Sequence, residues 1–530
     1  MFVHSLSTTK PISFSDQLHT SSLTLELTQT TEKRSKLQQL LKSIKDEKVN
    51  KQTSSNNSNS STNKNKDDDS PPLLTQKDWL KVVQASEDYM PMVYAIDRCL
   101  KTDDILINGE LVFNWKETLT ASTNKTPLPG IQGELVHVLL LNGKATCNLA
   151  ATLVASVGNY EMTEAAILSE EERKKKEERL KFGADLLCRA AGMFEYAGND
   201  LMKEWENEIG MARLSHLGRS AESTREMCTA LARLSQAEAE LLAIRKLLSP
   251  TNCYQTATRT FAPPLPSSHP SPSLLSKLYL NAASQFESAL SLAQTACNAI
   301  GVRSDETTVP GASASEDVKL AATSGFKAKL VSKLGSSRGK LMEESTRSGK
   351  LSVGFVKYLT KSIFASQARA YVWLGVDKGE RGQYGEAISF LRLAKEEIEG
   401  ISSPNKISLH TKDDRKKDEK RKFTQERESV LKLISDWTKA YTQLNDTVGF
   451  QPIPPTSSLS SQIPAGRGAT AIKPYKLPVP AFGPGSVGFV SEGMQRWNGI
   501  SDGKPIDDSV GQNSEGNSAE EEYAGQGAYY

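Results

Sequence analysis

The sequence has 530 residues, and its 65 Lys and Arg against 63 Asp and Glu give a formal net charge of +2 at pH 7. A charge this close to balance argues against a dedicated nucleic-acid-binding protein, which would carry a concentrated basic face. Only 38% of the residues are hydrophobic, so we expect much of the chain to lie in loops or tails rather than in a core.

Six cysteines are scattered along the chain without a CxxC pair, a pattern typical of reduced, buried thiols in a cytoplasmic protein. The first residues lack a basic region followed by an apolar stretch, so no secretory signal is predicted. We find no run of about 18 apolar residues and therefore expect no membrane span. The last residues contain no cysteine, so prenylation is not expected. Membrane association is predicted to be peripheral and to come through partners.

Four stretches interrupt the regular pattern of the chain, and each is predicted to be a loop or insert. The first is rich in Asn, Ser, Lys and Asp and is expected to be disordered, because it cannot bury enough apolar surface. From Pro452 onward the chain is rich in Pro, Gly and Ser. We predict one folded domain over residues 10–480 and a disordered, Gly-rich and acidic tail over 481–530. The four stretches are residues 51–72, 250–273, 303–318 and 402–423.

Between these breaks the apolar residues follow the three-and-four spacing of helices, which predicts an all-α fold. Ser169 with Glu172, and Ser223 with Glu226, match the capping box, in which a hydroxyl and a carboxylate satisfy free backbone N–H groups at a helix start. A strand pattern is conceivable only near residues 105–113.

Residues 356–400 predict a pair of antiparallel helices. The second helix starts with Gly382-Gln383-Tyr384 and Ala387, which is tetratricopeptide-like, and ends at Gly400. One clear copy with weaker ones upstream favours a helical solenoid, a fold whose exposed faces usually bind other proteins.

No motif predicts catalysis, a cofactor or a metal. The GxGxxG pattern at residues 483–488 lies among prolines and lacks the strand and helix that dinucleotide binding requires. The six histidines lie far apart and have no metal-ligand spacing. The basic run at residues 412–422 alternates with acidic residues and is interpreted as a solvated loop, with an anionic-lipid or nuclear-import patch as the sharper alternative.

Six segments, in order and spacing, resemble the Bro-domain family. They lie between residues 10 and 480, and each is weak alone. Within the family, the chain is most similar to the short fungal members of the ambient-pH response, since it carries neither the coiled-coil arm nor the phosphatase domain of the larger endosomal adaptors. The segments are Phe113-Asn114-Trp115-Lys116, Val138-Leu139-Leu140-Leu141-Asn142, Ala190-Ala191-Gly192-Met193-Phe194, Leu234-Ser235-Gln236-Ala237-Glu238-Ala239, the helix start from Gly382 to Ala394, and Asn445-Asp446-Thr447-Val448 followed by Pro452-Ile453-Pro454.

The resemblance implies an elongated, curved helical domain with a tetratricopeptide-like core that acts as a scaffold and not as an enzyme. It further implies binding to the C-terminal amphipathic helix of the core ESCRT-III filament subunit and to other ambient-pH pathway proteins. The protein would be cytoplasmic, recruited to cortical sites at the plasma membrane or to endosomes. A separate protease would then process a zinc-finger transcription factor.

The resemblance also points to residues for partner binding. Leu241, Leu274 and Leu278 fall on the family's filament-binding helices, Lys277 could pair with acidic residues of the ligand, and Leu374 and Arg467 are further candidates. An amphipathic helix needs apolar anchors in an open groove, whereas leucines at helical spacing can equally be core. If Leu278 is a groove residue, its replacement by Asp should leave the melting temperature nearly unchanged.

Three alternatives stay open at this stage. The chain could be a general endosomal-sorting adaptor of the same family, a helical hydrolase whose site is assembled by the fold, or a lipid-binding protein that uses a basic surface. The sequence leaves the oligomeric state open.

Overall fold

The computed structural model describes residues 1–54, 74–120, 125–163, 168–217, 219–258, 263–305, 351–400, 414–487 and 489. Residues 1–487 form one compact unit, which is wider than the predicted 10–480. The predicted tail beyond residue 489, and the parts of the inserts between residues 55 and 73 and between 306 and 318, lie outside the described residues.

Helices make up most of the described chain, which confirms the all-α prediction. Short π-helical and 3-10 segments join or end some of them, at Ala197–Leu201, Ala221–Ser223, Asn445–Gly449 and Thr456–Gln462. The helices are α1 (Phe14–Gln17), α2 (Thr24–Ser54), α3 (Gln76–Lys101), α4 (Gly130–Val157), α5 (Tyr160–Thr163), α6 (Glu170–Tyr196), α7 (Met202–Ile209), α8 (Met211–His216), α9 (Arg225–Thr258), α10 (Pro272–Asp305), α11 (Val353–Glu380), α12 (Tyr384–Glu399) and α13 (Asp414–Leu444).

Two small antiparallel sheets accompany the helices in the described chain. Strand β1 (Leu18–His19) pairs with β2 (Leu106–Ile107), and β3 (Val112–Lys116) pairs with β4 (Lys125–Pro129). The possible strand pattern near residues 105–113 therefore corresponds to β2 and the start of β3. The Trp115 indole of β3 points into the core and donates a hydrogen bond to the Glu134 carboxylate at 2.6 Å.

Helix capping follows the sequence in one case and departs from it in another. Ser169 and Glu172 form the predicted capping box at the start of α6. The box predicted for Ser223 and Glu226 is wrong, because the hydroxyl of Thr224 accepts the hydrogen bond from the backbone N–H of Met227 at 3.3 Å. Ser223 instead lies in the 3-10 segment that precedes α9.

All four stretches predicted to be loops or inserts are partly helical: α2 ends at Ser54, inside 51–72, and α10 ends at Asp305, inside 303–318. Helix α9 continues through Pro250 to Thr258, although residues 250–273 were expected to be a loop. Ser249, on the last turn before the proline, is fully buried and hydrogen-bonds the Tyr160 hydroxyl at 2.7 Å. Tertiary packing therefore outweighs the hydrogen bond that a proline removes from a helix. Helix α13 likewise begins at Asp414, inside the predicted loop 402–423.

The tetratricopeptide-like pair is α11 and α12. Helix α12 runs over Tyr384–Glu399 and is capped by Gly400, as the sequence predicts. Glycines allow close helix contacts: a Cβ on Gly375 would lie 3.0 Å from the Ala387 carbonyl oxygen, and one on Gly379 would overlap the Tyr441 ring.

The buried residues form two main clusters. The first is centred on α3, α4, α6 and α9, and the second on α10 to α13 with the later part of α9. Leu241 of α9 packs against both clusters. Helices α9, α10 and α11 each contribute residues to both halves of the core.

Helix α4 corrects one expectation, because by length and composition alone it could cross a membrane, with a mean hydropathy of 1.4 over its most apolar window. Its residues lie mostly in the core, including the charged Glu134 and Lys144. A helix that is apolar on all sides is also what the centre of a large core requires. Its composition therefore follows from its central position.

Candidate functional site

Four of the six candidate binding residues lie at or near the surface. Leu241 on α9 and Leu274 on α10 are half-buried, as is Lys277, while Arg467 beyond α13 is exposed. The other two candidates, Leu278 and Leu374, are core residues and are treated below.

Helices α9 and α10 run antiparallel beside each other at this site. The Arg233 guanidinium of α9 lies 3.5 Å from the Gln285 side-chain oxygen of α10, and further along the Asn281 amide donates to the Glu240 carboxylate at 3.2 Å. Leu241 follows Glu240 directly, and Leu274 and Lys277 precede Asn281 by two turns and one turn. The two helices therefore bring these three candidates to the same seam.

Residues 464–484, which we name the C-terminal strap, cross this seam without regular secondary structure. The backbone N–H of Arg467 donates to the Lys277 carbonyl at 3.0 Å. The backbone N–H of Ala469 donates to the buried Glu240 carboxylate at 2.9 Å. A Cβ on Gly466 would come within 2.7 Å of the Asn281 backbone nitrogen, so glycine permits this approach. The strap thus forms one edge of the surface that carries Leu241, Leu274 and Lys277.

The strap then continues over α6 and α3. The Lys473 backbone N–H donates to the Cys188 carbonyl at 3.2 Å, and the Lys473 ammonium pairs with the Asp185 carboxylate. The backbone of Lys473 lies so close to Gly192 that any Cβ at position 192 would overlap its carbonyl oxygen. Further on, the Ala481 N–H donates to the Pro91 carbonyl at 3.1 Å. Residues 464–484, in the Pro-, Gly- and Ser-rich stretch that follows Pro452, are therefore extended and packed against the helices.

We name Leu241, Leu274, Lys277 and Arg467 the strap-edge patch. Its apolar side chains are partly exposed, and its two cationic side chains form no ion pair with another residue in the described part of the chain. Lys473, by contrast, is already neutralised by Asp185. The patch therefore combines accessible apolar surface with two uncompensated positive charges.

Leu278 and Leu374 do not belong to the patch. Leu278 is 4% exposed and lies in the second core cluster, and Leu374 is 6% exposed and packs with Phe390 and Leu459. The expectation that Leu278 could be replaced by Asp without loss of stability is therefore wrong, because the carboxylate would be buried without a partner.

Two residues that were not predicted from the sequence, Glu240 and Phe182, lie at or near the contacts of the strap. Glu240 accepts two hydrogen bonds from the strap, from the Ala469 N–H and the Thr470 hydroxyl, and a third from Asn281 of α10, and burial raises the pKa of its carboxyl. Phe182 on α6 is 53% exposed and lies one turn before Asp185, the residue that pairs with the strap. Nothing in the sequence distinguishes Phe182 from a core residue, because its spacing is helical.

A family model, the BRO1-like domain, matches residues 23–482, which include every helix from α2 to α13 and nearly all of the strap. The chain belongs to the BRO1-like domain family. The Bro-domain resemblance seen in the sequence is thereby confirmed.

Comparison with curated proteins finds the pH-response regulator protein palC of Cryptococcus neoformans var. neoformans serotype D (strain B-3501A). It is 30% identical over 512 residues, which cover 93% of this chain and 94% of the relative. This match confirms the resemblance to the fungal pH-response branch of the family. Among solved structures, one described as "Structure basis for endosomal targeting by the Bro1 domain" covers 90% of this chain and 92% of its own, with 14% identity and a TM-score of 0.41.

Two buried titratable residues of this BRO1-like domain, His137 and Cys147, make contacts within the core. Burial lowers the pKa of His137 to about 4, and its ring lies within hydrogen-bonding distance of Ser223 and of the Gly133 carbonyl. Burial also raises the pKa of the Cys147 thiol to about 12, which keeps it protonated and unreactive. Within the described ranges, no three His, Cys, Asp or Glu side chains are placed to hold a metal ion.

Proposed function

We propose that this chain is a non-catalytic adaptor that binds the C-terminal amphipathic helix of the core ESCRT-III filament subunit through the strap-edge patch. One observation carries the proposal: half-buried leucines of α9 and α10 lie beside two unpaired cations, Lys277 and Arg467, at the edge of the strap. Membership of the BRO1-like domain family supplies the class of partner.

The chemistry of the patch suits an amphipathic helix with acidic residues beside its apolar face. Such a helix places anchors at i, i+3, i+4 and i+7 against apolar surface, which Leu241 and Leu274 provide. The cations would attract acidic side chains on the flank of the ligand and set its orientation. Because Glu240 ties the strap to α9 and α10, the patch exists before the ligand arrives, which lowers the ordering cost of binding.

We further propose that the adaptor acts in alkaline ambient-pH signalling. The relative of this chain is named a pH-response regulator, and the match covers almost the full length of both proteins. On this proposal, the chain is cytoplasmic and is recruited to cortical sites or endosomes by its partners. It then supports the processing of a pH-responsive zinc-finger transcription factor by a separate protease.

Binding of a fluorescent peptide that carries the C-terminal helix of the ESCRT-III subunit tests the proposal. The double variant Lys277→Glu with Arg467→Glu should raise the Kd about 10-fold or more, since reversal of two charges at an interface easily costs about 1.4 kcal/mol. Leu274→Ala should raise the Kd about fivefold through lost apolar contact. The control is Lys81→Glu, at an exposed lysine of α3 that lies outside the strap-edge patch.

Absence of peptide binding to the unmodified chain would overturn the partner. Equal binding by the double variant and the Lys81→Glu control would leave the partner in place and remove the site. Circular dichroism melting of each variant separates these outcomes from a loss of folding.

A further inference from the structure

The first residues of the chain are packed into the folded unit, ahead of the segment that the family model matches. Residues 2–7, which we name the N-terminal latch, include His4, which is 1% exposed. The Phe2 ring lies 5.2 Å from the Phe355 ring and 5.3 Å from the Tyr358 ring of α11, measured between centroids. The latch therefore contributes side chains to the core.

Backbone hydrogen bonds hold the latch to two helices. The Asn148 side chain of α4 clamps His4 from both sides: its oxygen accepts from the His4 N–H at 2.7 Å, and its nitrogen donates to the His4 carbonyl at 2.9 Å. The Phe2 N–H donates to the Glu238 carboxylate of α9 at 2.6 Å. These contacts are few, and a single side chain makes two of them.

The chain just after the latch is anchored independently. The Lys116 N–H of β3 donates to the Thr8 carbonyl at 2.9 Å, and the buried Arg34 guanidinium donates to the Lys10 carbonyl at 2.7 Å. Gln38 donates to the Thr9 carbonyl at 3.0 Å. Because these bonds do not involve residues 2–7, the latch can leave its site while residues 8–10 stay attached.

His4 lies where a positive charge would be poorly compensated. Its Nδ1 atom is buried and has no hydrogen-bond partner in the described part of the chain. The charged groups that act on it are Lys144 of α4 and Glu222 of the 3-10 segment, which already pair with each other at 2.7 Å. The nearby Glu238 of α9 is occupied by Phe2 and the Tyr358 hydroxyl.

We propose that residues 2–7 form a pH-dependent latch, docked when His4 is neutral and released when His4 is protonated. Release would uncover the Phe355 and Tyr358 rings and leave the Glu238 carboxylate of α9 bonded to the Tyr358 hydroxyl without the Phe2 N–H. The inference does not depend on the proposed function, because it concerns the attachment of the latch and not the binding of any partner.

The direction of the effect follows from the pKa of His4. Burial, reinforced by Lys144 and opposed by Glu222, lowers this pKa from 6.5 to about 3 in the docked state. The docked latch therefore requires neutral His4. The free energy that favours docking is at its full value above pH 6.5 and is lost progressively as the pH falls towards 3. For one such group, the ratio of released to docked latch should rise about 25-fold between pH 7 and pH 5.

Hydrogen exchange of the full chain, followed by mass spectrometry from pH 5 to pH 7.5 and corrected for intrinsic exchange, tests the latch. The opening constant of the peptide that covers residues 2–7 should rise about 25-fold from pH 7 to pH 5, while the peptide of α12 stays protected. In His4→Phe, which keeps a ring and removes the titration, opening of the latch should be independent of pH.

A second variant tests the latch even if the His4→Phe chain does not fold. Asn148→Ala removes the clamp and keeps the histidine, so it should raise latch opening at every pH and leave the slope with pH unchanged. A change of less than about threefold in the unmodified chain would overturn the proposal. So would equal pH dependence in His4→Phe, or parallel opening of α12, which would assign the acid sensitivity to the whole fold.

Discussion

At the scale of single residues, Leu241 and Leu278 illustrate what a sequence can and cannot resolve. Both lie at helical spacing on neighbouring helices, and both were candidates for the same surface. Leu241 is half-buried beside the strap, whereas Leu278 lies inside the second core cluster. The difference arises from which neighbour covers each face of a helix in a layered stack. Tertiary packing decides which neighbour that is, and the periodicity of one helix gives no information about it.

Replacement of Leu278 by Asp should destabilise the protein by roughly 3 kcal/mol or more, because a carboxylate would be buried among apolar side chains without a partner. Chemical denaturation followed by circular dichroism measures the loss. The control is Lys277→Asp at the preceding, partly exposed position, which should change the stability by less than about 0.5 kcal/mol. Similar stability of the two variants would contradict the burial of Leu278.

Phe450 adopts a left-handed conformation with φ of 48°, and its side chain is 77% exposed. Phe450→Gly should therefore stabilise the protein by about 0.5–1 kcal/mol, since glycine reaches this conformation without strain. The control is Val448→Gly, also at an exposed position (69%) but within the π-helical turn, which should destabilise by a similar amount. A lower melting temperature for Phe450→Gly would mean that the ring makes a stabilising contact.

At the scale of elements, the helical periods predicted α9, α10, α11 and α12 and gave the correct start and stop for α12. The sequence misplaced the end of α9, because a proline is normally taken as the end of a helix and Pro250 therefore predicted a loop. It placed most of the strap within the folded domain, which was predicted to end at residue 480, but it gave no indication that the strap packs across the helices, because Pro, Gly and Ser give no periodic pattern. The strap is ordered by backbone hydrogen bonds to distant residues such as Glu240 and Cys188, and such bonds leave no periodic signal.

Gly192→Ala should dislodge the strap from α6, because the added methyl group would overlap the carbonyl oxygen of Lys473. We expect faster limited proteolysis within residues 464–484 and weaker binding of the ESCRT-III helix. The control is Gly354→Ala in α11, where a Cβ would meet nothing closer than the Ser352 hydroxyl at 3.8 Å. Equal protease resistance of the strap in both variants would contradict the close approach at Gly192.

At the scale of the whole molecule, the fold class and family could be predicted, because the order of the motifs and the helical spacing are visible in the sequence alone. The hydrogen bonds between buried polar side chains could not be predicted. Glu134 receives hydrogen bonds from Arg34, Tyr89 and Trp115, residues that are far apart in the chain. A single sequence carries no information that these side chains converge, since each is unremarkable in its own segment.

Stability should fall below neutral pH because histidines are buried in their neutral form. The pKa of His137 is about 4 in the folded protein against an ordinary value of 6.5, so its contribution is complete above pH 6.5 and is lost as the pH falls towards 4. Between pH 7.5 and 5.0 the loss from this one group is about 2 kcal/mol. Urea unfolding at both pH values measures it.

The variant His137→Phe should reduce the difference in unfolding free energy between the two pH values by about 2 kcal/mol, whatever its effect on absolute stability. The control is His216→Phe, an exposed histidine at the end of α8, which should leave the difference unchanged. A difference that is the same in all three chains would contradict the neutral burial of His137.

The strap has a consequence for how the molecule comes apart. Stacked helical repeats normally contact only their neighbours, so their ends can fray independently and unfolding can proceed in steps. Here one extended segment touches α10, α9, α6 and α3 in turn and so links layers that are distant along the stack. Loss of any one of these helices would also remove a support from the strap over the others. The strap therefore couples the unfolding of helices that are not neighbours in the stack. We expect residues 1–487 to unfold in a single cooperative transition.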